Sequence, residues 1–164
     1  MGCWYAQAML TRLAVFALLA GCSAPLPGAD FSGAWTLAIA KSDFGRANPP
    51  QALSMIVKQT GSELIVESTL VDGRGTTTTG YTLNLTGKET ENNMRGNKVV
   101  SVSTWRGQML HVKAKTQVQG ADIKTVDQWQ LEEDGRILTI YRTATTPQGD
   151  FEQKYVYEKT LGKH

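Results

Sequence analysis

Glycine-containing turns recur at nearly even spacing along the chain, and the segments between them alternate apolar and polar residues. Alternation with a period of two is typical of β-strands, and no convincing stretch after Phe31 has the i, i+3, i+4, i+7 spacing of an amphipathic helix. Ten segments fit the strand pattern: 34–40, 53–60, 63–72, 76–86, 89–94, 98–106, 109–119, 122–132, 137–145 and 151–159. Short strands joined by tight turns predict an all-β fold, an up-and-down antiparallel β-barrel of about 8–10 strands, because a Greek-key sandwich needs long crossover connections.

The composition fits a single domain of this kind. The chain has 164 residues, of which 41% are hydrophobic and 20% are charged, and these values are ordinary for a globular protein. Its 17 basic and 15 acidic residues leave a net charge of +2, and no run of Lys and Arg is interleaved with aromatic residues. Nucleic acid is therefore not expected as a partner.

An apolar segment with the length of a signal-peptide core lies near the N-terminus. Residues 13–20, LAVFALLA, follow Arg12 and are too few to span the ~30 Å hydrocarbon core of a membrane. The segment ends in LAGC at 19–22, which resembles the lipobox of bacterial lipoproteins, whose cysteine thiol receives a diacylglyceryl group. We therefore expect a lipoprotein signal peptide at 1–21, a lipidated cysteine with a short linker at 22–30, and the barrel domain at 31–164. A start at Met9 is the expected alternative to Met1, because it leaves a conventional short n-region.

Cys22 has two interpretations, as the site of lipidation or as a thiol beside an ordinary secretory cleavage site. Lipidation is favoured, because Cys3 is the one other cysteine and would leave with the signal peptide, so no intramolecular disulfide is open to Cys22. Several acyl chains, palmitate among them, would then anchor the protein stably to a membrane. By resemblance to Gram-negative lipoproteins, Ser23 implies sorting to the outer membrane, with the exported domain facing the periplasm.

Three successive hairpins agree on which residues face the barrel interior. Centring the turn at Gly135 pairs Asp127 with Arg142, and the turn at Gly107 pairs Ser103 with Val112. Centring the turn at Gly120 pairs further inward residues: Ala114 with Asp127, Thr116 with Thr125, Val112 with Trp129 and Val118 with Ile123.

Small residues at inward positions suggest that the barrel is hollow. Ser101, Ser103, Ala114, Thr116 and Thr125 stand at mid-strand positions where a filled core would carry Leu, Ile or Phe. The interior is then either a lumen for one small, mostly apolar molecule or a taper of small against large side chains that fills completely. The candidate lumen residues are Trp35, Ser101, Ser103, Trp105, Val112, Ala114, Thr116, Thr125, Asp127, Trp129, Ile140, Arg142, Tyr155 and Tyr157.

The two ends of the domain resemble the calycin superfamily, which includes the lipocalins and the fatty-acid-binding proteins. The segment 31–37, FSGAWTL, resembles their first strand, and 133–140 with the YVYEK at 155–159 resembles the last hairpin of fatty-acid-binding proteins. The pattern as a whole is similar to uncharacterised bacterial lipocalin-like lipoproteins. The resemblance implies a lipocalin-like barrel and Arg142 packing on the first-strand Trp35.

Two departures from this family pattern concern ligand binding. Tyr155 stands where fatty-acid-binding proteins carry the arginine of their carboxylate clamp, and Tyr157 keeps the clamp tyrosine. The segment 41–52, KSDFGRANPPQA, replaces their helical lid, and its two prolines prevent a helix of useful length.

Catalysis finds little support in the sequence. Asp127 and Arg142 form either a site for a ligand head group or a structural ion pair, and the structural role is favoured because a buried charge is tolerated when paired. His111 is predicted to face outward and His164 is terminal, so no metal site and no Ser-His-Asp triad can be assembled. A non-enzymatic protein without metal or cofactor is expected. A filled barrel that contacts a protein partner or acts as an inhibitor through its rim loops is the alternative to ligand binding.

Overall fold

The computed structural model describes residues 28–160, so the predicted signal peptide, Cys22 and most of the linker lie outside the described residues. These residues form ten antiparallel strands and two single-turn 3₁₀ helices, at Ile39–Lys41 and Glu133–Gly135. The strands are β1 (Gly33–Leu37), β2 (Ala52–Gln59), β3 (Glu63–Asp72), β4 (Gly75–Asn84), β5 (Glu89–Met94), β6 (Asn97–Arg106), β7 (Met109–Val118), β8 (Ala121–Glu132), β9 (Ile137–Thr146) and β10 (Gly149–Lys159).

The strands form one sheet that curls into a nearly closed barrel. Its order is β4-β3-β2-β1-β10-β9-β8-β7-β6-β5, so each strand pairs with its sequence neighbour except across β4 and β5, and β1 pairs with β10. The predicted all-β, up-and-down antiparallel barrel is confirmed, and its ten strands lie at the upper end of the predicted number.

Side chains bridge the gap between β4 and β5. The amide of Asn92 accepts a hydrogen bond from the backbone N–H of Thr82 at 2.8 Å and donates one to the carbonyl of the same residue at 2.8 Å. The hydroxyl of Thr90 accepts from the N–H of Asn84 at 3.1 Å. These bonds satisfy backbone groups that a missing ladder would leave unpaired.

The predicted registers hold at two hairpins and are wrong at a third. Asp127 pairs with Arg142, and Ser103 pairs with Val112, as predicted. The hairpin of β7 and β8 instead pairs Val112 with Asp127 and Ala114 with Thr125. The cause is a tight two-residue turn, in which Gln119 and Gly120 both have positive φ, at 50° and 79°, as a type I′ hairpin requires. Because the error is two residues, the inward face stays the same.

An aromatic cluster closes the end of the barrel at which β1 begins. The ring of Phe31 stacks on Trp105 with centroids 5.9 Å apart and meets the edge of Trp129 at 5.7 Å. Trp35 is fully buried beneath them and donates its indole N–H to the carbonyl of Phe31 at 2.9 Å. Each such aromatic pair adds about 0.5–1.5 kcal/mol beyond its buried area. Gly28 lies against Trp105, where a Cβ atom would come within 2.6 Å of the indole ring.

The connection from β1 to β2 crosses the opposite end of the barrel without a lid helix. After the 3₁₀ turn at Ile39–Lys41, Asp43 exchanges two backbone hydrogen bonds of 2.7 Å with Lys154 of β10. The chain then continues as a loop through Pro49 and Pro50, in agreement with the prediction that this segment forms no useful helix. Within residues 28–160, no helix is long and apolar enough to cross a membrane.

Candidate ligand-binding cavity

A cavity of about 980 Å³ lies between the aromatic cluster and the open end of the barrel. The mouth is formed by the β1–β2 loop with Phe44 and Pro50, by the β3–β4 turn at Arg74 and by the β5–β6 turn at Arg95. This volume lies at the upper end of the ~300–1,000 Å³ that is usual for small-molecule sites. The wall is largely apolar, with Leu53, Met55, Leu70, Leu83, Met94, Val99, Val112, Val118, Ile123, Trp129 and Ile140.

The structure separates the sequence-predicted lumen residues into two groups. Trp35, Ser103 and Trp105 do not line the cavity, and Trp35 and Trp105 belong to the packed closed end. The residues that line the cavity are Ser101, Val112, Ala114, Thr116, Thr125, Asp127, Trp129, Ile140, Arg142, Tyr155 and Tyr157. Side chains therefore fill the closed end of the barrel completely, whereas the middle of the barrel is hollow.

The polar centre of the cavity is the ion pair of Asp127 and Arg142. The guanidinium group donates from Nε to Oδ1 at 2.7 Å and from Nη2 to Oδ2 at 2.6 Å. This two-point contact fixes both side chains, because the planar guanidinium matches the carboxylate. The charge of Asp127, opposed by burial, raises the pKa of Arg142, so the guanidinium group remains charged at every ordinary pH.

The two partners differ in how much of them faces the cavity. The side chain of Arg142 is 37% exposed and that of Asp127 is 10% exposed. Both residues line the cavity and point inward from neighbouring strands, so this exposure is to the cavity rather than to the outer surface. Arg142 therefore presents unused N–H groups to the cavity, whereas Asp127 is nearly covered.

The predicted packing of Arg142 on Trp35 is wrong. The guanidinium carbon of Arg142 lies 5.7 Å from the centroid of the Tyr155 ring, and the cation over Trp35 is the ammonium group of Lys159 at 5.3 Å. Lys159 reaches Trp35 because it is the direct register partner of that residue on β10. Arg142, in contrast, lies on β9 directly opposite Asp127 of β8.

Three tyrosines surround the ion pair. The hydroxyl of Tyr155 donates to Gln153 Oε1 at 3.0 Å, while the hydroxyls of Tyr81 and Tyr157 make no hydrogen bond within the described part of the chain. Burial raises the pKa of Tyr81, and the charge of Asp127 raises it further. Burial also raises the pKa of Tyr157, followed by the neighbouring Tyr81. Both phenols are therefore neutral donors.

Sequence reasoning missed Tyr81 and Phe44 as cavity residues. Tyr81 shares the parity of Leu83 and Leu85, which are buried, so alternation along β4 was a usable signal. Phe44 lies in a loop, where periodicity gives no orientation, and its ring meets the edge of Tyr155 with centroids 5.8 Å apart. Gln153 Nε2 donates to the carbonyl of Phe44 at 3.1 Å and holds the loop over the mouth.

Three buried polar atoms have no hydrogen-bond partner in the described structure: Ser101 Oγ, Ser103 Oγ and Trp129 Nε1. Such atoms cost free energy, about 1–3 kcal/mol each when nothing satisfies them. They are covered by neighbouring atoms, so they do not add accessible donors to the cavity surface.

Within residues 28–160, no cluster of three His, Cys, Asp or Glu residues that could hold a metal ion occurs. His111 lies on the outer face of β7, between the inward residues Leu110 and Val112, but is only 8% exposed. Burial first, and then Arg106 and Lys113, lower the pKa of its imidazole.

The fold of this barrel is similar to the folds of several solved structures. Secretory abundant heat soluble protein 4 from Ramazzottius varieornatus matches with a TM-score of 0.57 and 16% identity, over 84% of this chain and 100% of that chain. A second secretory abundant heat soluble protein from that organism matches with a TM-score of 0.54 and 13% identity, over 79% and 94%. The zebrafish ileal bile acid-binding protein, complexed with cholic acid, matches with a TM-score of 0.50 and 17% identity, over 79% and 98%. These similarities show a shared fold.

At the level of sequence, a scan against protein-family models and a search of curated proteins found no match. The fold and the cavity together define the class: a ten-stranded, nearly closed barrel like those of lipocalins and fatty-acid-binding proteins.

Proposed function

We propose that this protein binds one small, mostly apolar molecule inside the barrel. The observation that carries the proposal is the cavity of about 980 Å³, whose largely apolar wall encloses the Asp127–Arg142 pair. Burying an alkyl chain in such a wall contributes ~0.8 kcal/mol per methylene group. A dozen methylene groups would therefore offset the cost of immobilising the molecule, which is at least ~4 kcal/mol.

The fold is compatible with this role. The zebrafish protein of similar fold was crystallised with cholic acid. For this chain the support comes from its own interior, because the open middle of the barrel favours binding over the filled scaffold that the sequence left as an alternative.

We further propose that the barrel works at a membrane, tethered through lipid on Cys22 to the outer membrane and facing the periplasm. The lipobox-like LAGC at 19–22 supports the anchor. A tethered binding protein would meet amphiphiles at the surface from which they exchange. Gly28 and Phe31, which follow the proposed anchor in the sequence, lie at the closed end of the barrel. The mouth with Phe44 and Arg74 is at the opposite end.

Native mass spectrometry of the mature domain, purified without detergent, tests the binding proposal. Two threonines on neighbouring strands give a matched pair of variants, because Thr125 lines the cavity and Thr143 is exposed on the outer face. We expect a bound small molecule in the wild type and in Thr143→Phe, and a reduced amount in Thr125→Phe, whose ring would occupy the cavity. Wild-type protein that carries no molecule and takes up none from a lipid extract would refute the proposed function.

A further inference from the structure

Among residues 28–160, no unpaired charge lies in the interior of the cavity. The ionisable residues that line it, apart from the tyrosines, are Asp72, Arg74, Arg95, Asp127 and Arg142. Asp72 and Arg74 pair with each other at the mouth at 3.0 Å, and Arg95 is exposed in the adjacent β5–β6 turn. The charged side chains that this part of the chain places in the interior are therefore those of the Asp127–Arg142 pair, whose charges compensate each other.

A carboxylate is a poor fit beside this pair. Arg142 already uses Nε and Nη2 on Asp127, so an incoming anion would meet a guanidinium group whose charge is already compensated. Removal of an anion from water without a free counter-charge is strongly unfavourable. Burial is the largest cause that raises the pKa of Tyr81, and the same desolvation would oppose a further negative charge at this place.

An ammonium group is equally disfavoured. The cationic member of the pair is the one that faces the cavity, since Arg142 is 37% exposed and Asp127 is 10% exposed. An amine would approach the guanidinium before it reached the covered carboxylate, and like charges at close range repel.

Neutral hydrogen-bonding groups, in contrast, are available beside the pair. Tyr81 and Tyr157 line the cavity, and their hydroxyls make no hydrogen bond within residues 28–160. The N–H groups of Arg142 that do not bond Asp127 add further donors that a neutral oxygen can accept from. A hydroxyl or carbonyl oxygen can use these donors without bringing a charge into the barrel.

We propose that the cavity selects an uncharged amphiphile whose head group carries a hydroxyl or carbonyl oxygen, and that it discriminates against carboxylates and amines of the same chain length. This inference rests on the proposed function and adds the chemical class of the ligand. The Asp127–Arg142 pair excludes charged head groups, and Tyr81 and Tyr157 hold the neutral head.

Competition among three molecules of equal chain length tests the inference on the mature wild-type domain. Dodecanol, dodecanoate and dodecylamine would each compete with the neutral fluorescent probe Nile red at about pH 8, where the acid and the amine are both charged. The two charged molecules are kept below their critical micelle concentrations, and dodecanol is kept below its solubility limit. We expect dodecanol to displace the probe at concentrations on the order of tenfold lower than either charged molecule.

The variant Asp127→Asn probes the cause of this ranking. It removes the negative charge and keeps an oxygen acceptor for Arg142, so the guanidinium becomes an uncompensated cation in the cavity. We expect dodecanoate to improve on the order of tenfold, so that it displaces the probe about as well as dodecanol. The matched control is Asp122→Asn on the same strand, because Asp122 is exposed, does not line the cavity and bonds to Gln117. Its ranking should equal that of the wild type.

The outcomes separate the inference from the proposed function. If wild-type protein binds dodecanoate or dodecylamine as tightly as dodecanol, a ligand site exists but the inference about its head group is overturned. If none of the three displaces Nile red, and Nile red itself fails to bind, both are overturned. The ranking of the three molecules on wild-type protein tests the inference even if Asp127→Asn does not fold.

Discussion

Breaking the buried ion pair from one side should destabilise the barrel far more than removing it from both sides. Arg142→Met leaves Asp127 covered and without the two hydrogen bonds of 2.7 and 2.6 Å that satisfy it. Removing one partner of such a pair usually costs about 3–5 kcal/mol. Because Arg142 faces a cavity that can admit water, we expect about 3 kcal/mol, the low end of that range.

The double variant Asp127→Leu with Arg142→Met supplies the comparison. It leaves no uncompensated charge and adds apolar surface to the wall, so it should recover most of the loss. Urea denaturation followed by tryptophan fluorescence measures both changes. With a slope of ~1–3 kcal/mol/M, the single variant should shift the midpoint down by roughly 1–3 M.

Two results would refute this reasoning about the pair. One is a single variant within about 1 kcal/mol of the wild type, which lies in the range of exposed pairs. The other is a double variant no more stable than the single one. The double variant should also keep its binding of dodecanol, because the tyrosine hydroxyls remain. A stable double variant that has lost all binding would show that the pair itself holds the ligand.

Three further predictions concern the barrel ends, the outer face and the anchor. Gly28→Ala should cost about 1–2 kcal/mol in the free energy of unfolding, because its Cβ would lie 2.6 Å from Trp105. The control is Gly61→Ala, because no atom lies within 4 Å of the added Cβ there. Equal urea midpoints for the two variants would contradict the packing of Gly28 against Trp105. His111 has a lowered pKa, so the unfolded chain takes up its proton first and stability should fall as the pH drops below the ordinary value of 6.5. The urea midpoint, measured between neutral and mildly acidic pH, should depend less on pH in His111→Gln than in the wild type. His164→Gln should leave this pH dependence unchanged. An unchanged pH dependence in His111→Gln would show that His111 is not its cause. In a bacterial host, palmitate should label the wild type and not Cys22→Ala, which should be released into the periplasm; label retained by that variant would end the lipoprotein interpretation.

The positions of the strands and their inward faces could be predicted from the sequence, because alternation and turn residues are local properties. The pairing of Asp127 with Arg142 followed from one hairpin register and is confirmed. The register at Gln119 and Gly120 failed because a two-residue turn and a longer loop leave similar sequence signals, although the error did not change the face.

The sequence could not predict which of the inward residues line the cavity, because this depends on which end of the barrel is filled by side chains. Phe31 stacks on Trp105 and its carbonyl accepts a hydrogen bond from Trp35, and these contacts place both tryptophans in the closed end. The partner of Trp35 was also wrong, because the position of Lys159 depends on the closure between β1 and β10, which no single hairpin reveals.

The central claim, a hollow barrel that takes one neutral amphiphile, is tested most directly by the stoichiometry of binding. Isothermal titration of Nile red into ligand-free wild-type domain should give one site per barrel, with dodecanol competing for that same site. Thr125→Phe should weaken the binding at least about tenfold, because Thr125 lines the cavity. Thr143→Phe should leave the binding unchanged, because Thr143 does not line the cavity. Binding that is absent, or that both variants weaken equally, would contradict the account.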